Sequence, residues 1–171
     1  AFAAEMNAAS RRLGMTGSVW RNPNGLHHVE QVTTARDMAV LARALYRDFP
    51  EHRRFLSASA LQFGSATLRN YNALIGRYPG ADGLKTGFIC ASGFNLVGTA
   101  VRNGRRHIAV VFGERSARAR AERAALLLER SWQNDNIVQA GWFGGPARQN
   151  IDTMVRPAGM SMAAPNLRQD V

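Results

Sequence analysis

The chain has 171 residues, 46% of them apolar and 20% charged, which is enough apolar material for a packed core and too little charge for a disordered chain. Its 22 basic and 12 acidic residues leave a formal charge of +10, a balance that suits nucleic acid, anionic lipid or an acidic polymer and that arginine-rich composition also explains. A single cysteine, Cys90, excludes an internal disulfide framework and a multi-cysteine zinc site, the four histidines lack the spacing of a helical zinc site, and no apolar run reaches the roughly 20 residues of a membrane span.

Phe2, Met6, Ala9 and Leu13 recur at helical spacing, with Glu5, Arg11 and Arg12 off that face, and Gly14 is placed to stop the helix. No capping residue precedes it, so the chain is expected to open in mid-helix. Arg21-Asn-Pro-Asn-Gly-Leu26 reads as a tight turn. A second helix is expected from Thr34, with Asp37 standing in for the usual glutamate of a capping box. Met38, Leu41, Ala42, Leu45 and Phe49 give it an apolar stripe as far as Pro50. Residues 51–56 read as a solvated connection. Leu61, Phe63 and Thr67 suggest a short strand, Asn70–Ile75 is irregular, and Gly76–Gly83 reads as a loop.

Three extended segments follow, Leu84–Cys90, Gly93–Val101 and Arg106–Phe112. Asn103-Gly104 is a strong hairpin signal between the last two. Both of these strands are apolar on both faces, as strands covered on both sides are. Ser116–Trp132 reads as a helix with Ala121, Ala124, Leu128 and Trp132 on one face. Its arginine-rich remainder is expected to be solvated, with Glu122 and Glu129 as counter-charges. Residues 137–171 carry three of the six prolines and Gly144-Gly145, the composition of an extended or weakly packed tail.

The sharpest chemical signal is Asp82-Gly83-Leu84-Lys85-Thr86-Gly87-Phe88. Lys85 is the one lysine among the 22 basic residues. Arginine cannot replace a compact amine whose pKa can be tuned. Lys-Thr-Gly is a signature of penicillin-binding proteins and serine β-lactamases. An ammonium and a hydroxyl projecting from one strand can hold a carboxylate, and a neighbouring glycine lets a ligand backbone approach the edge. The tripeptide alone fits equally a surface lysine beside a strand glycine.

Several further segments appear in order around it. Met6-Asn7 and Leu13-Gly14-Met15, Asn22-Pro23-Asn24-Gly25-Leu26, Thr34-Ala35-Arg36-Asp37-Met38-Ala39, Asn70-Tyr71-Asn72-Ala73-Leu74 and Ser92-Gly93-Phe94-Asn95-Leu96-Val97 together resemble the serine-type D-alanyl-D-alanine carboxypeptidases, the low-molecular-weight penicillin-binding proteins. The likeness runs over residues 1–133. It implies an α+β, β-lactamase/transpeptidase-like fold, an antiparallel sheet covered by helices, with Lys85 early on an edge strand. Residues 1–56 would be the remains of a helical subdomain, 57–133 the sheet and closing helix, and 134–171 the tail.

The family's Ser-x-x-Lys nucleophile motif and its Ser-x-Asn motif are not found in this sequence. In the family both precede the region matching Ala1, so the chain is expected to be the C-terminal part of such an enzyme, inactive by itself, with no catalytic residue of its own. The resemblance implies that Lys85 and Thr86 bind the terminal carboxylate of a peptidoglycan pentapeptide, that Gly87 permits close approach, and that the Phe88 N–H is one oxyanion-hole donor. It further implies β-lactams as acylating inhibitors, no cofactor, no metal and no nucleic-acid partner. It places the protein in the periplasm or cell envelope, with membrane association left open. Tyr71 falls where family members vary and sometimes contact substrate.

Cys90 is expected to be a small buried residue, His27-His28 a solvated pair, and Asp82 a turn residue rather than a partner of Lys85. Two other readings stand beside the carboxypeptidase. A serine β-lactamase lacks support because no Glu-x-x-Leu-Asn segment precedes Lys-Thr-Gly. A non-catalytic basic module binding nucleic acid or glycan rests on the charge alone, without the aromatic interleaving that base stacking needs.

Overall fold

The computed structural model describes the backbone of residues 2–139 and the side chains through residue 134. Helices α1 (Phe2–Arg12) and α2 (Ala35–Asp48) come first, followed by a 3-10 turn (Pro50–His52) and the short helix α3 (Arg53–Leu56). The connection expected at 51–56 is therefore a pair of helical turns, exposed over most of its length. Strands β1 (Ala60–Phe63) and β2 (Ala66–Arg69) form a separate hairpin. Strands β3 (Ala81–Ile89), β4 (Gly93–Arg102) and β5 (Arg105–Glu114) form one antiparallel sheet in the order β3-β4-β5, and helix α4 (Ala117–Gln139) closes the described part. The fold is α+β, an antiparallel sheet covered by helices.

The sheet positions everything else. Its β4 is the central strand, and five consecutive residues from Leu96 to Ala100 are buried. Alternate side chains leave opposite faces of a strand. Leu96 and Ala100 pack on one face with Ala124, Leu128 and Trp132 of α4 and with Leu74. Val97 and Thr99 point to the other face, where α2 covers β4 and β5 and Tyr46 meets Thr99. Strands apolar on both sides thus lie between two helical layers, as their composition requires. The Asn103-Gly104 turn takes positive φ at both residues (50° and 73°), the geometry of a two-residue hairpin loop.

Two boundaries differ from the sequence reading. The single strand expected around Leu61–Thr67 is a hairpin whose turn falls at Gly64. Leu61 pairs with Leu68 and Phe63 with Ala66 across it. Strand β3 starts at Ala81, inside the segment read as a loop, because side-chain bonds to Asp82 and Gly83 hold these residues extended. Helix α4 continues past residue 133 to Gln139. The remainder of the predicted tail, 140–171, lies outside the described residues.

The N-terminal helices are joined by polar contacts. Asn7 of α1 accepts from the Trp20 N–H (2.9 Å) and donates to the Trp20 carbonyl (2.8 Å), while the Trp20 indole donates to Ser10 Oγ (2.6 Å). At the start of α2, Thr34 Oγ1 accepts from the Asp37 N–H (3.1 Å), the first half of the expected capping box. The second half is absent. The Asp37 carboxylate, only 1% exposed, turns to the Gly17 N–H (2.8 Å) and the Ser18 hydroxyl (2.7 Å) instead. Gly17 has no room for a side chain, since a Cβ there would lie 2.6 Å from Thr34 Cγ2.

Asp37 is the acceptor that joins the 14–20 segment to α2. Replacing it by alanine strands the buried Gly17 N–H and takes one of two partners from the Ser18 hydroxyl, which also meets Thr33 Oγ1 (2.8 Å), and charge-assisted bonds of this kind are worth about 1.5–3 kcal/mol. Asp37→Ala is expected to lower the urea unfolding free energy by about 2–3 kcal/mol, and Asp37→Asn by less, because its remaining oxygen still accepts. Equal stability of Asp37→Ala and the parent would refute this role.

Candidate functional site

Lys85, Thr86, Gly87 and Phe88 lie along β3, an edge strand of the sheet. Lys85 pairs with Val97, Thr86 with Leu96, Gly87 with Asn95 and Phe88 with Phe94. The pleat sends Lys85 and Thr86 to opposite faces. Lys85 leaves on the α2 face and is exposed, its ammonium folded back on the Thr86 carbonyl (2.5 Å). Phe88 is 54% exposed and stacks on Phe94 with 4.2 Å between ring centroids. Gly87 is exposed. A Cβ built on it meets nothing nearer than 3.8 Å, and its φ is not in the left-handed region. The chain's own packing does not require glycine at 87.

The strand is held at its start by a polar knot. Asp82 Oδ1 accepts from Thr99 Oγ1 (2.8 Å), and the Asp82 carboxylate pairs with Arg106 (2.6 Å). The Tyr46 hydroxyl lies within hydrogen-bond reach of both the Asp82 carbonyl (3.0 Å) and Thr99 Oγ1 (2.8 Å), and with Thr99 donating to Asp82 the one Tyr46 proton serves these two acceptors in turn. The Arg106 guanidinium lies over the Tyr46 ring at 3.6 Å. The expectation for Asp82 is thereby corrected: it sits in the strand and its side chain binds Thr99 and Arg106, so it neither makes the turn nor orients Lys85. Gly83 is required here, because a Cβ would lie 2.2 Å from the Tyr46 oxygen.

A second set of contacts brings in the 70–74 segment. Asn72, buried, donates to the Gly83 carbonyl (2.8 Å) and accepts from the Leu74 N–H (3.1 Å). Tyr71 projects beside it, 83% exposed. Arg120 of α4 is buried, 5% exposed, and reaches the carbonyls of Tyr71 (3.0 Å), Gly87 (3.4 Å) and Asn95 (3.4 Å). The sequence reading put the arginines of this helix on a solvated face. Arg118 and Arg123 follow that expectation, pairing with Glu122 and Glu114, and Glu129 binds Arg102. Arg120 does not. Its position was legible, four and eight residues before Ala124 and Leu128 on the buried stripe. The roles of Tyr46, Thr99 and Arg106 had no such signal, since their partners are distant in sequence.

Other expected positions divide. His27 and His28 are exposed. Cys90 is exposed rather than buried, because β3 ends at Ile89 and the chain turns outward before β4. His107 packs on Trp132 (3.7 Å between centroids), far along β5 from the motif.

A free-edged strand bearing an exposed ammonium, a half-buried hydroxyl and a bare glycine, on an antiparallel sheet between helical layers, fits the penicillin-binding, transpeptidase-like class. The model of the D-alanyl-D-alanine carboxypeptidase family matches residues 1–116. The chain belongs to that family, the serine-type D-alanyl-D-alanine carboxypeptidases or low-molecular-weight penicillin-binding proteins. It is 37% identical over 139 residues to the D-alanyl-D-alanine carboxypeptidase DacD of Salmonella typhimurium, covering 81% of this chain and 36% of that protein. Its fold is similar to penicillin-binding protein D2 of Listeria monocytogenes solved in the cefotaxime-bound form (TM-score 0.72, 32% identity, 77% of this chain and 55% of that one). It is also similar to penicillin-binding protein 6B of Escherichia coli (TM-score 0.72, 37% identity, 77% and 42%). The chain spans between 36% and 42% of the length of three curated carboxypeptidases that it matches.

Burial pushes the Tyr46 phenol above its ordinary 10.0, and the Asp82 charge adds to that, while the Thr99 bond and Arg106 pull the other way. The folded state therefore keeps this proton at pH values where the unfolded state has released it, and stability is present below the unfolded value and lost as pH rises through the folded one. Between about pH 9 and about pH 11 the parent is expected to lose more unfolding free energy than Tyr46→Phe. Equal losses in the two proteins, read by urea titration, would remove Tyr46 from the account.

Proposed function

We propose that this chain supplies the substrate-binding strand of a serine-type D-alanyl-D-alanine carboxypeptidase that trims the terminal D-alanine from peptidoglycan stem peptides in the cell envelope. The reading rests on one observation above all: Gly87 is bare on an exposed edge, although the surrounding protein has room for a side chain there. Space that the fold does not need is space for a ligand. Lys85 and Thr86 on the same strand supply a cation and a hydroxyl for a carboxylate, and the strand edge can pair with an extended peptide.

In this reading the nucleophilic serine and the Ser-x-Asn groups come from outside these 171 residues. The serine hydroxyl adds to the carbonyl of the penultimate D-alanine. Its proton passes to the departing amine, D-alanine leaves, and water hydrolyses the acyl-serine ester. Lys85 and Thr86, which leave the strand on opposite faces, hold the terminal carboxylate between them where it crosses the strand edge, Gly87 admits the backbone, and the Phe88 N–H faces the developing oxyanion together with the nucleophile's own N–H. A β-lactam offers the same carboxylate and carbonyl and leaves a slowly hydrolysed ester. Placement of residues 1–56 in a helical subdomain and 57–133 in the sheet portion belongs to the same proposal.

The full-length protein is expected to release D-alanine from a peptide ending in D-Ala-D-Ala and to take up labelled penicillin. Lys85→Ala or Thr86→Val should each lower kcat/KM by about 10- to 100-fold, the loss of one charge-assisted contact. Release of D-alanine undiminished by both substitutions would sink the assignment of the strand. Gly87→Ala gives a sharper contrast. Its unfolding free energy should stay within about 1 kcal/mol of the parent, while penicillin acylation falls steeply. Unimpaired acylation would show that the bare glycine serves no ligand.

A further inference from the structure

Arg120 is a buried cation whose hydrogen bonds all go to backbone carbonyls: Tyr71 from the 70–74 segment, Gly87 from β3 and Asn95 from β4. The guanidinium carbon lies over the Phe94 ring, 5.7 Å from its centroid. Burial lowers the proton affinity of this guanidinium, with no carboxylate among the described residues countering it. Such a placement costs stability unless the bonds it makes are needed.

Gly87 O is the informative acceptor. The bond from Gly87 to Phe88 is not among the cis peptides of the chain, so its C=O and N–H lie in one plane and point in opposite directions. The β3–β4 ladder, which pairs Gly87 with Asn95, turns the Gly87 carbonyl toward β4, and Arg120 adds a bond to it from the same nitrogen that reaches Asn95 O. The Phe88 N–H then points away from β4, off the free edge of β3. We propose that Arg120 is a positioning residue that locks the direction of the Phe88 N–H, set by the ladder, by gripping the carbonyl of the same peptide group. The inference rests on the carboxypeptidase reading, in which that N–H is an oxyanion donor. Arg120 touches no reacting atom and acts through one peptide plane. The third bond, to Tyr71 O, ties the 70–74 segment to the same point.

The test uses the full-length protein and three forms: parent, Arg120→Met, which keeps the length of the side chain and removes its donors, and Arg120→Lys, which keeps the charge and part of the bonding. Stopped-flow penicillin binding separates the dissociation constant of the initial complex from the acylation rate constant. Arg120→Met is expected to slow acylation by about 10- to 100-fold, a fraction of the effect of deleting an oxyanion donor, with the initial dissociation constant unchanged. Arg120→Lys should recover part of the rate. The ester carbonyl of the penicilloyl-enzyme should move to higher infrared frequency in Arg120→Met, because a misdirected donor polarises it less.

A rise in the dissociation constant with an unchanged acylation rate would overturn the proposal, since it would mean that Arg120 meets the ligand carboxylate. Loss of stability with neither the rate nor the infrared band altered would overturn it equally. A parent protein that neither releases D-alanine nor takes up penicillin would overturn the functional reading instead. The positioning claim would then be decided by the 13C and 15N resonances of the Gly87–Phe88 amide, which shift in both variants if Arg120 grips it and stay in place if it does not.

Discussion

An edge strand that keeps its outer N–H groups available to a ligand has neighbours on one side only. Half of the hydrogen bonds that fix an interior strand are missing by design, yet a binding edge must be held as firmly as an interior one. In this fold the deficit is made up by side chains that grip the backbone of β3 near both ends. Tyr46 and Asn72 hold the carbonyls of Asp82 and Gly83, and Arg120 holds that of Gly87. Of the four residues that carry the motif chemistry, Lys85 and Thr86 lie between these grips, Gly87 is held by one and Phe88 follows it, and all three grips come from residues outside the motif. Rigidity and recognition are thus assigned to different residues, which leaves Lys85, Gly87 and the Phe88 ring exposed along the edge, with Thr86 half-buried among them.

The same division explains where the charge of the chain goes. Several arginines go into ion pairs, such as Arg106 with Asp82, Arg102 with Glu129 and Arg118 with Glu122, which leave the net charge of +10 unchanged. The exposed pairs contribute little individually. The Asp82–Arg106 pair is different in kind. It is mostly shielded, it adds a cation over the Tyr46 ring, and every member of the knot has more than one partner. Satisfied buried networks specify one arrangement more than they add stability. A charge at Asp82 without Arg106 would be a buried liability, so the two residues act as a unit.

Much of this was legible in the sequence because it depends on short-range pattern. The helical spacing of α1 and α2, the Asn103-Gly104 hairpin, the doubly apolar β4 and β5 and the Lys-Thr-Gly strand all express periodicity or turn chemistry within a few residues. What escaped has its partner far along the chain. Asp37 looks like half of a capping box, and only the return of Gly17 and Ser18 to α2 shows that its carboxylate serves another segment. Asp82 beside glycine looks like a turn residue until Thr99 and Arg106 are brought across the sheet. Cys90 follows an apolar run and reads as buried, but its exposure is decided by where β3 stops. Arg120 is the intermediate case: the stripe at 124 and 128 points to a buried position, while the residue type argues for the surface.

The chain uses arginine almost everywhere and lysine once, and the two extremes of that choice meet on one strand. At 120 three carbonyls from three segments converge on a cation. Only a planar guanidinium, with donors spread over a fixed fork, reaches all of them without strain. Its permanent charge is an advantage there, because a group that could shed its proton in a buried site would lose the bonds it exists to make. At 85 the demands are reversed. The site is open and a single ammonium already folds back on the Thr86 carbonyl. A guanidinium would extend further over the edge and occlude it. It would also fix the charge at a place where, in the proposed reaction, protons move on neighbouring groups. An ammonium is compact, and its proton affinity responds to what lies beside it. The bare glycine two residues on is consistent with the same requirement: the edge is kept narrow, charged at one point and otherwise unobstructed, while the bulk needed to hold it is carried by Tyr46, Asn72 and Arg120 from elements beside the sheet.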